Sequence, residues 1–390
     1  MYAQVHLKKN EERRIKTGHL WIFSNEILDI AGEPGNGDLV EIYDSKNSFV
    51  GTGFYNRNSL IAVRILSDGK IEDLRELFRI RLNNAFNLRK SFYPQRNSFR
   101  LVFSESDFLP GLIIDKYNDT YVLQVYSYGM DKNIEIITEI LREAYAAENI
   151  FTKNEEYFRN LEGLPAENTV FLGEIGKEII NDGSVNYEIN FDKAHKTGFY
   201  FDQSDNRFFI EKFVTGKSVL DAFCYSGGFG LHAGKAGASS VAFVDSSSTE
   251  LENARKNFSL NELTIRSEFI VSDVFDYFEK CIEEKIKFDV VMIDPPAFAK
   301  NRKSIHVAKK GYERLNRLAL QTVNQNGFII TSSCSYHISE AEFLQIINQA
   351  ASRTGKKIRQ VYLNGASLDH PKLPAMPETG YLKFGVFFVE

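Results

Sequence analysis

SVLDAFCYSGGFG, residues 218–230, decides how the second half of the chain is read. A short apolar run reaches Asp221 and passes through Ala222, Phe223, Cys224, Tyr225 and Ser226 into Gly227, Gly228 and Gly230. That is the pattern of a buried strand turning into a helix through a loop whose glycines let backbone approach a ligand closely. Outward from it the same unit repeats. The runs SVAFVD (240–245), EFIVSD (268–273), DVVMID (289–294) and FIITSS (328–333) alternate with amphipathic stretches of helical length. Leu251, Ala254 and Phe258 mark one helical face; Tyr312, Leu315, Leu318 and Ala319 mark another. Ser339, three residues before Glu342, predicts a capping box ahead of Phe343, Ile346, Ile347 and Ala350. This alternation predicts a parallel sheet with crossover helices from about residue 191 to the end. IRQVYL (358–363) and YLKFGVFFV (381–389) have no helix between them and predict an antiparallel hairpin at its edge.

The first half reads differently. Residues 1–70 carry DLVEIYD (38–44) and LIAVRIL (60–66) between glycine-rich turns at 32–37 and 51–53, which predicts a small β-rich domain. Leu74, Leu77, Phe78 and Leu82 predict one amphipathic helix. From 99 to 190, the strand-like runs FRLVFSES, GLIIDKY and TYVLQVYS precede a helix through Ile134, Ile137, Ile140 and Leu141, and strands resume near VFLGEIG and VNYEINFD. A central α+β domain is expected there, giving three domains: 1–70, 71–190 and 191–390.

Composition narrows the class. Hydrophobic residues at 43% and charged residues at 25% exclude a largely disordered chain. No apolar run reaches the ~20 residues that span a bilayer, and the start MYAQVHLKKNEERR lacks a signal-peptide core, so a cytoplasmic protein without a membrane partner is expected. Cys224, Cys281 and Cys334 are too far apart for a metal knuckle, and neither a metal site nor a disulfide framework is expected. Net charge is −5, yet residues 1–100 hold 16 Lys and Arg against 12 Asp and Glu. That asymmetry permits RNA docking through Lys8, Lys9, Arg13, Arg14 and Lys16, against the plain alternative of a solvated basic face.

Open α/β sheets bind ligands where the carboxyl ends of their strands converge. Asp221 leads into the glycine loop, Asp245 ends the next strand where it can accept two ribose hydroxyls, and Asp273 ends the third where it can meet an adenine amino group. A dinucleotide dehydrogenase shares this pair of features, but the G-x-G-x-x-G spacing is absent. The fourth strand ends in Asp294-Pro295-Pro296-Ala297-Phe298, which suits a methyltransferase presenting a carboxylate and a backbone carbonyl to a planar substrate. S-adenosylmethionine is therefore the expected cofactor, with the bland alternative that each aspartate merely caps a helix.

The fifth strand runs into Ser332-Ser333-Cys334-Ser335-Tyr336-His337. Carbon 5 of a pyrimidine is too weak a nucleophile to take a sulfonium methyl directly, and a thiolate adding to carbon 6 makes it enamine-like. Cys334 stands where that thiolate is needed, and Asp294 would hydrogen-bond or protonate nitrogen 3 of an unstacked base. His337, His195 and His370 read more readily as structural or substrate-contacting than as bases.

With these residues in hand, the chain resembles the large-subunit (23S) ribosomal RNA cytosine carbon-5 methyltransferases that carry an N-terminal PUA domain, over nearly its whole length. Gly18 to Glu26 resembles their PUA module, and Leu109 to Asp115 with Glu162-Gly163-Leu164 resembles their linking domain. Lys196 to Gln203, the loop from Asp221, the Asp-Pro-Pro-Ala-Phe segment with Lys300, Ser333-Cys334-Ser335, Asp369-His370-Pro371 and Tyr381-Leu382-Lys383 resemble their catalytic domain. The resemblance implies a Rossmann-like class I methyltransferase domain behind a β-rich PUA domain and a central α+β domain. It implies cofactor binding by Phe199, Asp221, Phe223, Tyr225, Ser226, Gly227, Asp245, Asp273, Asp294 and Pro295, attack by Cys334, and RNA contacts from Lys8, Arg13, Arg14, Lys196, Lys300 and His370. Ser204 departs from the arginine common there, and no residue identifies itself as the base that removes the carbon-5 proton. Guanine methylation through Asp294 alone, and an RNA-binding assembly factor with a vestigial pocket, stay open at this point, as does a homodimer.

Overall fold

Alternating apolar residues in the first 70 positions form six strands: β1 (Ala3–Leu7), β2 (Trp21–Phe23), β3 (Ile27–Ala31), β4 (Leu39–Tyr43), β5 (Phe49–Tyr55) and β6 (Ile61–Ser67), with helix α1 (Glu12–Lys16) after the first. The computed structural model describes residues 2–298 and 304–390. The six strands form one sheet in the order β2-β6-β5-β4-β1-β3, antiparallel except where β1 runs parallel to β4. Val5, Leu7, Val40, Ile42, Val63 and Ile65 form its core. Gly53 allows β5 and β6 to approach, since a Cβ there would stand 2.5 Å from the Arg64 carbonyl oxygen.

Asp73 caps α2 (Leu74–Phe92) by accepting from the Glu76 amide. A second sheet follows, in the order β11-β10-β9-β8-β7: β7 (Ser98–Phe103), β8 (Leu112–Tyr117), β9 (Thr120–Val125), β10 (Asn149–Thr152) and β11 (Val170–Leu172). Helices α3 (Tyr128–Lys132), α4 (Ile134–Tyr145) and α5 (Glu156–Glu162) lie among its strands in the chain. Phe54 and Leu66 of the first sheet share a core with Phe78 and Leu82 of α2 and Leu101, Ile114 and Leu123 of the second. The half-buried Arg64 side chain of β6 pairs with Glu105, in the turn after β7, at 3.0 Å and with Glu162 of α5 at 2.8 Å.

Contacts group the chain into two units, the first holding residues 1–180, 189–201 and 368–379, the second 181–188, 202–367 and 380–390. The hairpin of β12 (Lys177–Asn181) and β13 (Asn186–Asn190) lies where the chain passes between them. Segment 368–379 interrupts the C-terminal half. Arg89, wholly buried, bonds both carboxylate oxygens of Asp107 and the Asp369 carbonyl, and Met376 is buried in the first sheet's core.

In the second unit each expected run is a strand. The elements are α6 (Ser204–Val214), β14 (Ser218–Ala222), α7 (Gly228–Lys235), β15 (Ser240–Asp245), α8 (Ser248–Leu260), β16 (Arg266–Val271), α9 (Val274–Glu283), β17 (Phe288–Ile293), α10 (Ile305–Thr322), β18 (Val323–Ser333), α11 (Glu340–Thr354), β19 (Ile358–Asn364) and β20 (Lys383–Val389). The sheet order is β16-β15-β14-β17-β18-β20-β19, parallel through β18. β20 is antiparallel to both β18 and β19, so the last strand enters between them and β19 takes the edge. The capping box ahead of α11 is present, with Ser339 accepting from the Glu342 amide and Glu342 from the Ser339 amide. No helix among the described residues is long and apolar enough to cross a membrane.

Candidate active site

Strand order reverses at β14, whose neighbours β15 and β17 continue the chain in opposite directions across the sheet, and such a switch point opens a crevice at the strand ends. Four aspartates stand at these ends. Asp221 is buried, and its Oδ2 accepts from the Gly230 amide at 2.7 Å, fixing the first turn of α7. Burial, with the charges of Asp294 and Asp245 adding to it, pushes its carboxyl up to about 7 against the opposing Gly230 bond. Asp245 accepts the Tyr225 amide at 3.0 Å on one oxygen and the Ser247 amide at 2.9 Å on the other. Asp273 is exposed and caps α9 through the Phe275 and Asp276 amides. The capping alternative thus describes Asp273, whereas α8 is capped by Ser247 and Asp245 braces the loop instead; Asp245 and Asp273, neither of them buried, keep lone pairs to offer a ligand.

Between β14 and α7 the backbone is left-handed at Phe223 (φ 62°), Tyr225 (φ 50°) and Gly227 (φ 87°). Two non-glycine residues in that region store strain of the kind found at ligand clamps. The glycines also serve packing: a Cβ on Gly230 would fall 2.2 Å from Phe243, and one on Gly228 2.6 Å from the Arg207 Nε. Ser226 is buried, and its carbonyl accepts from Asn257. This loop, with a two-oxygen acceptor at the end of β15, fits a nucleoside whose ribose hydroxyls need an acceptor and whose charged tail needs close backbone.

Asp294 follows β17, its amide 3.4 Å from the Ala222 carbonyl oxygen. Its Oδ1 accepts from Gln203 Nε2 at 3.0 Å and from the Ser332 hydroxyl. Burial, with the Asp202 charge adding, pushes this carboxyl up to about 6, although Ser332, Arg207 and Gln203 pull it the other way. Cys334 lies beyond β18 with Sγ 3.9 Å from the Pro295 carbonyl oxygen. Its neighbours are fixed: Ser332, Ser333 and Ser335 are buried, Tyr312 bonds the Ser335 hydroxyl at 2.9 Å, and the buried Lys383 bonds the Ser335 carbonyl at 2.6 Å. Cys334 is the one residue of the four with a partly exposed side chain. Cys224 and Cys281 are buried, and burial pushes both thiols up.

The structure thus gathers Asp221, Phe223, Tyr225, Ser226, Gly227, Asp245, Asp273, Asp294, Pro295 and Cys334 at one end of the second unit's sheet. The remaining expected residues belong to the first unit or fall outside the description. Phe199 is buried in the first unit, its amide donating to the Tyr117 hydroxyl at 2.9 Å and its ring edge-on to Phe201. Lys196 is exposed. Lys8 bonds the Asn25 carbonyl at 2.7 Å and stays exposed, as do Lys9 and Arg13. Lys300 lies outside the described residues.

One expected RNA contact is corrected. His370 is only 3% exposed, bonded to Asp369 and packed on Phe103, so it is enclosed by its own unit rather than offered to RNA. Arg14, with a side chain 34% exposed, bonds Glu26 at 2.7 Å and the Trp21 carbonyl at 3.2 Å. Sequence reasoning gave no role to Gln203 or Ser332, although both lie in quoted motifs, because nothing in their spacing says that they meet Asp294.

Comparison with known proteins adds family and fold. Residues 5–68 match the PUA-like domain family, and residues 172–352 match the S-adenosylmethionine-dependent methyltransferase family. The protein named ribosomal RNA large subunit methyltransferase I from Aeromonas hydrophila is 37% identical over 390 residues, covering 98% of both chains. Its namesake from Vibrio campbellii is 36% identical at the same coverage. A crystal structure of a candidate methyltransferase complexed with SAH superposes with a TM-score of 0.86 over 99% of both chains at 22% identity, a likeness of fold.

Proposed function

The chain belongs to the ribosomal RNA large subunit methyltransferase I family, and from that premise we propose that it methylates carbon 5 of a cytosine in 23S ribosomal RNA through a covalent Cys334 adduct. The observation that carries this reading is the partly exposed Cys334 thiol, 3.9 Å from the backbone carbonyl that follows Asp294 and flanked by the buried Ser332, Ser333 and Ser335. Asp221, the 223–227 loop, Asp245 and Asp273 hold S-adenosylmethionine. When bound, it supplies a methyl group on a sulfonium, electrophilic enough for an activated carbon 5.

The protein's own part is to activate that carbon. The Cys334 thiolate gives an electron pair to carbon 6, forming the sulfur–carbon bond, while the carbon 5–carbon 6 pair becomes available at carbon 5. Asp294 gives a proton to nitrogen 3, so the ring takes up the electron pair without building negative charge in a buried site. Carbon 5 then spends that pair on the methyl carbon as the methyl–sulfonium bond breaks, carbon 5 gives its proton to water, the carbon 6–sulfur bond breaks, the thiolate returns and the nitrogen 3 proton goes back to Asp294. Reaching those atoms requires an unstacked base.

The division of labour we propose follows three segments. Residues 1–70 dock RNA, with Lys8 and Arg13 on phosphates and Arg14 bracing them; residues 71–190 link; residues 191–390 carry out the chemistry. Action on ribosomal RNA makes the cytoplasm the expected compartment. The test is Cys334→Ala assayed on 23S RNA transcripts with labelled methyl donor. Loss of transfer with donor affinity retained supports the covalent route. Retained transfer refutes it and leaves Asp294-based guanine methylation; absence of donor binding by the unaltered protein leaves an assembly factor.

A further inference from the structure

A chain of side-chain amides, buried at its two inner members, runs into Asp294. Asn364 Nδ2 donates to Asn206 Oδ1 at 3.1 Å; Asn206 Nδ2 donates to the Gly365 carbonyl at 3.0 Å and to Gln203 Oε1 at 2.7 Å; Gln203 Nε2 donates to Asp294 Oδ1 at 3.0 Å. Gln203 is 2% exposed and Asn206 wholly buried. The polarity of this chain follows from one fixed point. A backbone carbonyl can only accept, so the Asn206 amide must turn its nitrogen toward Gly365, which brings the same nitrogen to Gln203. Gln203 must then meet Asn206 with its oxygen and Asp294 with its nitrogen.

We propose that Gln203 is a positioning residue that, with Ser332, keeps Asp294 Oδ1 as an acceptor and so makes Oδ2 the oxygen that carries the proton to the base. This rests on the function proposed above and gives its acid a defined geometry. Two donors already point at Oδ1, and a proton there would face both of them. Oδ2 has no hydrogen-bond partner among the described residues, so an O–H there competes with neither donor and is available to a nitrogen lone pair of the base. Among the described residues, the charged groups around it are Asp221 on β14, Asp202 ahead of α6 and Arg207 within α6. Burial holds the carboxyl within reach of neutrality, where an acid of this kind works.

The experiment measures the single-turnover rate of methyl transfer across pH, together with affinity for S-adenosylhomocysteine, in Gln203→Met and Ser332→Ala. Each substitution removes one donor to the carboxylate, so the midpoint of the rate profile must move to higher pH in both. The Gln203→Met rate must also fall at least about tenfold at neutral pH, with S-adenosylhomocysteine affinity within about twofold of the unaltered protein. A wild-type midpoint in both variants, or a loss of S-adenosylhomocysteine affinity as large as the loss of rate, overturns the assignment. If Gln203→Met fails to fold, Ser332→Ala alone decides by the direction of its midpoint. Cys334→Ala assayed alongside separates the two ideas: an active Cys334→Ala overturns the covalent reading, whereas an inactive one beside an unshifted Gln203→Met overturns the role of Gln203 alone.

Discussion

Replacing His232 with glutamine tests the anchoring of the helix that follows the cofactor loop. His232 lies in α7, wholly buried, with Nε2 2.7 Å from Asp182 and Nδ1 2.6 Å from Glu211. Both ring nitrogens face carboxylates, so both must donate and the imidazole is charged. Burial alone would lower its pKa; the Asp182 charge, with bonds to Asp182 and Glu211, reverses this and raises it. Burial likewise opposes ionisation of Asp182, and His232 overcomes it, holding that carboxyl at about 2. Removing one partner of a buried pair costs about 3–5 kcal/mol, because the other charge is left uncompensated. Glu211 keeps a 29% exposed side chain and can turn to water, which puts the expected loss near the lower end, about 3 kcal/mol at pH 6.

The pH dependence follows from the signs. Histidine's share is full below its unfolded value near 6.5 and is lost as pH rises through the raised folded value. Asp182's share is full above about 3.8 and is lost as pH falls toward 2. The substitution should therefore cost most between about pH 4 and 6.5. At pH 9 its cost should be smaller by about 1.4 kcal/mol for each unit by which the folded value exceeds 6.5. Urea unfolding at pH 6 and pH 9, followed by far-ultraviolet circular dichroism, measures this. The single tryptophan, Trp21, reports on the first unit and supplies the control transition that should not move. An equal loss at both pH values would refute a charged His232.

Four further outcomes are expected. Gly230→Ala would set a methyl 2.2 Å from the buried Phe243 ring, which is stacked on Phe269, so calorimetry should find S-adenosylmethionine affinity reduced and stability lower by about 1–3 kcal/mol. Asp245→Ala removes the acceptor proposed for the ribose and should weaken the same affinity at least about tenfold while leaving RNA binding unchanged in filter assays. Arg89→Leu strands the buried Asp107 and frees the Asp369 carbonyl, so the Trp21 fluorescence transition in urea should shift by about 3–5 kcal/mol. Replacing Lys8 and Arg13 together with alanine should flatten the dependence of log RNA affinity on log salt by roughly one to two, whereas Arg14→Ala should lower stability and leave that slope unchanged.

Much of this was legible in order along the chain. Strand runs ending in aspartate, the glycine loop at 227–230 and the Asp-Pro-Pro segment determined a parallel sheet with a ligand site at its carboxyl ends, because burial on both faces and backbone approach leave local composition signs. The capping box at Ser339 and the apolar stripes of α2 and α4 were equally local. Tertiary structure decided the rest. It paired Arg14 with Glu26, buried His370 against Asp369, placed residues 368–379 with the first unit, and brought Gln203 and Ser332, 129 positions apart in the chain, onto one oxygen of Asp294. A lone arginine, histidine or glutamine reads the same in sequence whether it meets solvent, RNA or a buried carboxylate. Its partner is set by long-range packing, which periodicity and spacing do not encode.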